Sequence, residues 1–364
     1  MKKKLLFVIN TLGHAGAEVA LFELFARLDR NRYEIFLYVI LGQGEMFLNL
    51  PSDVHILNSL YSTESVLSEA GRKQMQKKCM HALLKKGYRR QNLSYVLKQY
   101  RKMKKKGSVQ MDKLLWRVLS DSCEQFQEQF DLAVAYLEGG ATYYVAEHVN
   151  AKKKAAFVHI DYGSSGYSRE MDLGCYDKID RIFTVSDEVK KHFLDFYPGY
   201  EDKTEVFHNL IDQDKIRSRA GEEGGFSDGY EGFRILTVGR LNPQKAYEVA
   251  IDVMKILREA GVDARWYVLG SERSWKPGYS SLDYSTILSS VERQTIRILI
   301  TVRRICMYMP PDLKERALPS RKPRRLVVLL WHRIVMETES RLKMVWMAYC
   351  VNLMPGRLRQ RYRH

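Results

Sequence analysis

Apolar residues arrive first as an unbroken run inside Lys3–Ile9, with no polar alternation, the pattern of a parallel strand buried on both faces. A glycine-bearing turn, Thr11 to Glu18, follows. Val19, Leu21, Phe22, Leu24, Phe25 and Leu28 then recur near the helical period and predict a helix from about Ala17. Further strands are expected at Glu34–Leu41, Asp131–Leu137, Ala155–His159, Arg181–Val185 and Glu205–Phe207. Helices are expected near 141–149 and 187–196, the second with Ser186 as its N-cap. Strand and helix in alternation predict an α/β, doubly wound parallel sheet over residues 1–207. The Gly-, Glu- and Asp-rich stretch 208–232 reads as a linker.

A second unit starts at 233. Ile235–Val238 reads as a strand, and the basic loop Gly239-Arg240-Leu241-Asn242-Pro243-Gln244-Lys245 follows it. Val249, Ile251, Val253, Met254, Ile256 and Leu257 then predict a helix, and Trp266–Leu269 a second strand. In an open parallel sheet, ligands bind beyond the carboxyl ends of strands and helix N-termini favour anions. Arg240 and Lys245 at the mouth of this unit suit a diphosphate, and on spacing alone they equally suit a solvated basic loop.

These motifs bring in a family. GRLNPQK (239–245) resembles the start of the C-terminal domain in retaining, two-Rossmann (GT-B) glycosyltransferases of the glycosyl transferase 4 / glycosyl transferases group 1 type. VHID (158–161) resembles the same family's histidine motif near the transferring sugar, and TVSDEVKKHF (184–193) with VFHNLID (206–212) resembles the end of its first domain. The resemblance implies a GT-B-like fold and metal-independent transfer of a sugar from a nucleotide sugar to a glycan or lipid-linked acceptor. Arg240 and Lys245 would grip the donor diphosphate, with Gly239 allowing close backbone approach. His159 would stand near the transferring sugar, in a positioning and charge-stabilising role. Without the resemblance, a histidine at a strand end reads as a hydrogen-bonded structural residue. Gly13 and Gly16 are similar to the family's Gly-Gly-Ala-Glu turn, with Ala15 in place of its first glycine, and would form an acceptor or phosphate loop. Glu138, before Gly139 and Gly140, is a candidate acceptor contact or a solvated loop carboxylate. A UDP-sugar epimerase of the same fold is the alternative enzyme. A non-enzymatic basic binder of membrane or nucleic acid, suggested by the net charge of +16, is the alternative to an enzyme.

Beyond Ser271 neither period persists. The chain carries a formal +16, from 59 Lys and Arg against 43 Asp and Glu, and its last 94 residues hold 19 Lys and Arg against 7 acids. A frameshift accounts for this change. Taken from their third bases, the codons of Leu313–Pro323 permit EGKSIAIEEA, those of Leu326–Ile334 permit GRPIVASD, and those of Glu337–Leu342 permit NREQI. Trp331–His332, Met336–Glu337 and Trp346–Met347–Ala348 leave no codon freedom and force A, G and D-G where the family reads VASD, GNREQ and DGxDG. Residues 271–364 are therefore expected to be poorly ordered, 233–270 to be an incomplete donor domain with exposed strand edges, and the chain to be impaired or inactive.

Charge also concentrates in 72–117, which holds 16 Lys and Arg and one acid, Asp112, with Leu, Met, Tyr and Trp interleaved. A basic amphipathic insertion suits peripheral contact with an anionic membrane, or a solvated helical face. A nucleic-acid partner is not expected, because no nucleic-acid-binding fold or motif accompanies the charge. No apolar run reaches the roughly 18 residues of a membrane span, and no leader with a cleavage site is expected. Cys79, Cys123, Cys175, Cys306 and Cys350 lack paired or metal spacing and read as reduced thiols in cytoplasm, on the inner face of the plasma membrane. No metal or other cofactor is expected.

Overall fold

The computed structural model describes residues 2–85, 87–105, 107, 109–220, 229–231, 233–238, 247–259, 261, 263–269, 306–307 and 327–328. The chain divides into two units, Met1–Ile211 and Asp212–His364. The first is built on seven parallel strands: β1 (Lys3–Ile9), β2 (Tyr33–Val39), β3 (Val54–Ile56), β4 (Phe130–Ala135), β5 (Ala151–Val158), β6 (Arg181–Thr184) and β7 (Thr204–Val206). Their order, β3-β2-β1-β4-β5-β6-β7, runs outward in both directions from the β1/β4 pair. That pair is the topological switch point, where a parallel sheet opens a crevice at its carboxyl edge.

Register divides the strand residues between two cores. Leu5, Phe7 and Ile9 of β1 join Val134 and Tyr136, Ala155 and Phe157, and Ala20, Leu21 and Phe25 of α1 (Gly16–Arg27). Leu6 and Val8 join Ala133 and Ala135, Ala156 and Val158, and a second set of helices on the other face. That set comprises α4 (Met111–Ser122), α5 (Gly140–His148) and α7 (Asp187–Phe196), which supply Val118 and Leu119, Tyr143 and Tyr144, and Val189 and Phe193. Helices on both faces make the fold α/β and doubly wound, as expected. Ser186 caps α7, its hydroxyl accepting from the Val189 amide at 3.2 Å. β3 was not expected. It is three residues long and pairs with β2 through Ile35↔Val54 to Leu37↔Ile56.

The basic segment forms α2 (Glu69–Leu84), α3 (Arg89–Lys105) and the start of α4. α4 is a core helix, with Leu114 and Val118 fully buried. Beyond α5 the chain is pinned by Asp172, at the end of the short helix α6 (Arg169–Asp172). Its buried carboxylate accepts from the hydroxyls of Tyr143 (2.9 Å), Tyr162 and Tyr197, which ties α5, the 162–167 loop and α7 together.

In the second unit, the expected linker contains α8 (Gln213–Ala220). β8 (Phe233–Val238), α9 (Tyr247–Glu259) and β9 (Ala264–Leu269) make the expected βαβ unit, and Leu257 packs against Ile235, Val253, Met254 and Ala264. β10 (Cys306–Met307) and β11 (Val327–Val328) extend the sheet in the order β10-β11-β8-β9. This corrects the expectation of an exposed β8 edge, while β9 stands last in the order, as expected. The β-branched pair Val327-Val328 lies in register with Ile235 and Leu236, so β8 is interior. The rest of 271–364, and with it the expectation of disorder there, lies outside the described residues.

Candidate functional site

Two glycine-bearing turns leave the switch point at the carboxyl edge of the sheet. Asn10, just past β1, joins them. Its Nδ2 donates to the Glu138 carbonyl at 3.0 Å, and its Oδ1 accepts from the Ala141 amide at 2.8 Å. Both bonds are buried, so the second turn is fixed to the end of β1 before any side chain reaches outward.

In the second turn, Glu138 is 6% exposed and its Oε2 accepts from the His159 amide at 3.0 Å. This corrects the solvated-carboxylate reading of Glu138. Burial of a carboxylate demands donors, and the main chain beyond β5 supplies one. Gly139 takes φ +78°, and a Cβ there would lie 2.3 Å from the Tyr167 hydroxyl. A Cβ on Gly140 would lie 2.9 Å from both Asn10 Oδ1 and the Trp116 ring. The turn therefore needs both glycines, the first for its backbone and the second for space.

His159 is half-buried against the rings of Tyr136 (5.1 Å) and Phe157 (5.9 Å). Its Nε2 is inaccessible and has no hydrogen-bond partner. Burial pushes its pKa down to about 4, against the opposing pull of the Tyr136 backbone, so the ring is neutral near pH 7. A neutral imidazole can offer one donor and one acceptor, and carries no fixed charge. Asp161, two residues on, turns inward and accepts from the Gly163 amide at 3.0 Å, an Asx turn rather than a free carboxylate.

The first turn carries two carboxyl groups, Glu18 and Glu45, that the pattern did not predict. Glu18, in the first turn of α1, is 4% exposed, and its Oε1 accepts from the Thr11 hydroxyl at 3.2 Å. Burial raises its pKa to about 7, with Glu45 adding to the rise and the Glu18 and Gly13 amides opposing it. Glu45 Oε2 is also buried without a partner, 3.9 Å from where a Cβ on Gly13 would sit. The amide dipoles of this helix start thus already face one of the chain's own carboxyl groups. Gly16 is open, with nothing within 4 Å of a Cβ built there.

The structure thus brings His159 and Glu138 together, and sets Gly13 and Gly16 at the neighbouring turn. Gly239, Arg240 and Lys245 lie outside the described residues. Sequence spacing missed Asn10, Tyr136 and Glu18. An Asn directly after a buried strand, opposite a Gly-Gly turn, was the available signal.

The basic segment is less uniformly outward than its composition implies. Arg117 is buried and paired with Glu147, Lys78 donates to the Leu41 carbonyl, and Lys85 Nζ donates to the Ser122 carbonyl at 3.0 Å. α2 keeps Arg72, Lys73 and Lys77 exposed, and α3 adds further exposed cations and shows Leu93, Leu97 and Tyr100 to solvent. The helical layer also assembles Asp121, Glu147 and His148, a donor cluster invisible in the sequence because α4 and α5 are separated by β4. Among the described residues, no helix is long and apolar enough to cross a membrane.

No protein-family model matches the chain, and no curated protein matches it. Among solved structures it is similar to an alpha-glucosyltransferase in complex with UDP-glucose and DNA containing an abasic site, at 13% identity and a TM-score of 0.39, covering 90% of this chain and 67% of that one. It is similar to the UDP-GlcNAc 2-epimerase from Methanocaldococcus jannaschii at 12% identity and a TM-score of 0.34, covering 81% and 75%. A third likeness is to Phytolacca americana UGT2 complexed with UDP-2fluoro-glucose and pterostilbene, at 11% identity and a TM-score of 0.30, covering 76% and 72%.

Proposed function

We propose that the gene encodes a retaining glycosyltransferase that moves a sugar from a nucleotide sugar to a glycan or lipid-linked acceptor. In this reading, the present chain is impaired by its out-of-frame C-terminus. The observation that carries the proposal is the Glu138–His159 contact at the carboxyl edge of the switch point. There a buried carboxylate accepts from the main chain of a half-buried histidine, at the edge where a parallel sheet binds ligands. His159 orients the transferring sugar through its neutral ring and stabilises charge developing there. Glu138 holds the His159 backbone and accepts from an acceptor hydroxyl. Gly13 and Gly16 border the acceptor, while Gly239, Arg240 and Lys245 take the donor diphosphate. With Glu18 and Glu45 beside the first turn, hydroxyls suit that turn better than a second phosphate.

Release of nucleoside diphosphate from a panel of UDP-, GDP- and ADP-sugars tests this, using this chain and a version with its reading frame restored. The restored enzyme is expected to turn over and this chain to show little activity. In the restored enzyme, His159→Ala is expected to cost about 100-fold or more in kcat/KM, on the scale of a lost charge-stabilising group. No turnover of any donor by the restored enzyme would overturn the reading. Interconversion of free donor sugars without acceptor would favour the epimerase.

The acceptor side is served by membrane docking through 72–117. Along α3, Arg90, Leu93, Leu97, Arg101 and Lys104 follow one another at helical spacing on the exposed surface, with Lys98, Lys102 and Lys105 flanking them. Near an anionic leaflet each such cation contributes roughly 1 kcal/mol. Co-sedimentation with vesicles containing phosphatidylserine is expected to require the anionic lipid and to weaken with salt. Replacing Arg90, Arg101 and Lys104 by Glu is expected to abolish it. Equal binding to neutral vesicles would refute the electrostatic docking.

A further inference from the structure

The C-terminal ends of α4 and α5 converge on one polar cluster, buried at Asp121 and half-buried at Glu147 and His148, away from the carboxyl edge of the sheet. Asp121 is in the last turn of α4, and Glu147 and His148 close α5. The ligand atoms of these three residues lie within 4.8 Å of one another. His148 Nε2 stands 3.0 Å from Asp121 Oδ1. Adjacent ligands of a tetrahedral first-row ion sit about 3.3 Å apart, given metal–ligand bonds of about 2.0–2.2 Å.

Four observations point to a cation rather than to a self-contained network. Asp121 is 3% exposed, yet its Oδ2 has no partner. A buried carboxylate oxygen left without a donor is costly. Two helix C-termini meet here, and their aligned carbonyls favour positive charge. Glu147 draws on Arg117 and has Lys178 at 4.0 Å, whereas Asp121 meets the His148 ring through Oδ1 and its Oδ2 is left unserved by either cation. The His148 ring is also pre-oriented: Tyr88 and Tyr144 stand 6.3 and 5.9 Å away, ring to ring, and the Gln125 amide lies 3.5 Å from Nδ1. Turning that amide presents its oxygen to an Nδ1 proton, the outer contact that fixes a ligating imidazole with Nε2 toward the metal.

We infer that Asp121, Glu147 and His148 bind a first-row divalent ion such as Zn2+ as a structural clamp between α4 and α5. Binding displaces any proton on His148 Nε2, so that the imidazole nitrogen ligates as the neutral base. Arg117 remains on Glu147 Oε2, while Oε1, which accepts from the Cys175 thiol at 3.3 Å, exchanges that contact for the ion and completes the set with the Asp121 carboxylate. One nitrogen and two or three carboxylate oxygens suit Zn2+ or Mn2+, and offer too few oxygens for Ca2+. α5 spans about 12 Å from Gly140 to His148, so the ion braces the helix at the end opposite the Glu138 turn.

Full-length protein freed of metal with chelator and titrated with ZnCl2 or MnCl2 tests the inference. Calorimetry is expected to show one saturable ion per chain, and the Tm to rise by about 5 °C at saturating ion. His148→Gln and Asp121→Asn should each weaken binding at least tenfold and remove most of the rise. His14→Ala with His81→Ala, both exposed, should change neither. Should the two site variants misfold, X-ray absorption of the Zn2+-loaded wild type decides, with one imidazole, oxygen ligands and no sulfur expected. No saturable binding, binding that survives His148→Gln, or sulfur ligation implicating Cys175 would overturn the site.

Discussion

The turn after β1 and the turn after β4 share a design on paper, each a glycine-bearing bend from a buried strand into a helix at the switch point. They differ in what their glycines do. In the first, the glycines carry the resemblance to a ligand loop, yet Gly16 is exposed and has open space around it. In the second, Gly139 and Gly140 carry no motif, yet the fold leaves no room for a side chain at either. A glycine kept free for a ligand and a glycine demanded by packing look alike in sequence. Only the surroundings of the missing Cβ separate them.

The largest expected effect exploits that contrast. Gly139→Ala must hold φ +78° and displace Tyr167, which is buried, stacked on Tyr162 and covered by Lys113. Left-handed strain of about 1–2 kcal/mol and overpacking of about 1–3 kcal/mol together predict a loss of about 2–5 kcal/mol. Gly16→Ala, inside the first turn of α1, should be neutral or stabilise by up to about 1 kcal/mol. Urea denaturation of the two variants is the measurement. Equal losses would mean that the first turn is as tightly built as the second, and the contrast would fall.

The same contrast marks what could be read from the chain alone. β1 matches its expected bounds, and α1 and α7 start within a residue of theirs, because an unbroken apolar run, a helical stripe and a Ser cap are local signals. β3 is too short to carry a period, and its pairing with β2 is decided by tertiary contact. His159 and Glu138 were visible as strand-end residues, but their bond joins positions 21 apart and depends on β4 and β5 lying side by side. Asp172 and its three tyrosines, and the Asp121–Glu147–His148 cluster, left no sequence trace, since each assembles residues from elements that only the fold makes neighbours. Composition misled once, where Arg117 was counted with surface cations although the α4 face it occupies is core.

A smaller effect sharpens the comparison through pH, because the two turns bury titratable groups of opposite sense. Glu18, at the first turn, has its pKa raised by burial to about 7. As pH rises from the unfolded glutamate's value toward 7, the unfolded chain loses this proton while the folded chain keeps it, so Glu18 makes the fold less stable with rising pH. His159, beside the second turn, has its pKa lowered by burial to about 4. Between about 4 and 6.5 the unfolded chain holds this proton and the folded chain does not, so His159 makes the fold more stable with rising pH. Across their shared window, from about pH 4.5 to 6.5, the two slopes oppose each other, each at most about 1.4 kcal/mol per pH unit. Glu18→Gln should therefore unmask a stability that climbs with pH in that window, and His159→Gln one that falls. Urea midpoints of wild type and both variants at half-unit pH steps measure this. If either variant's difference from wild type stays constant across the window, the group it removes is not titrating as its burial requires.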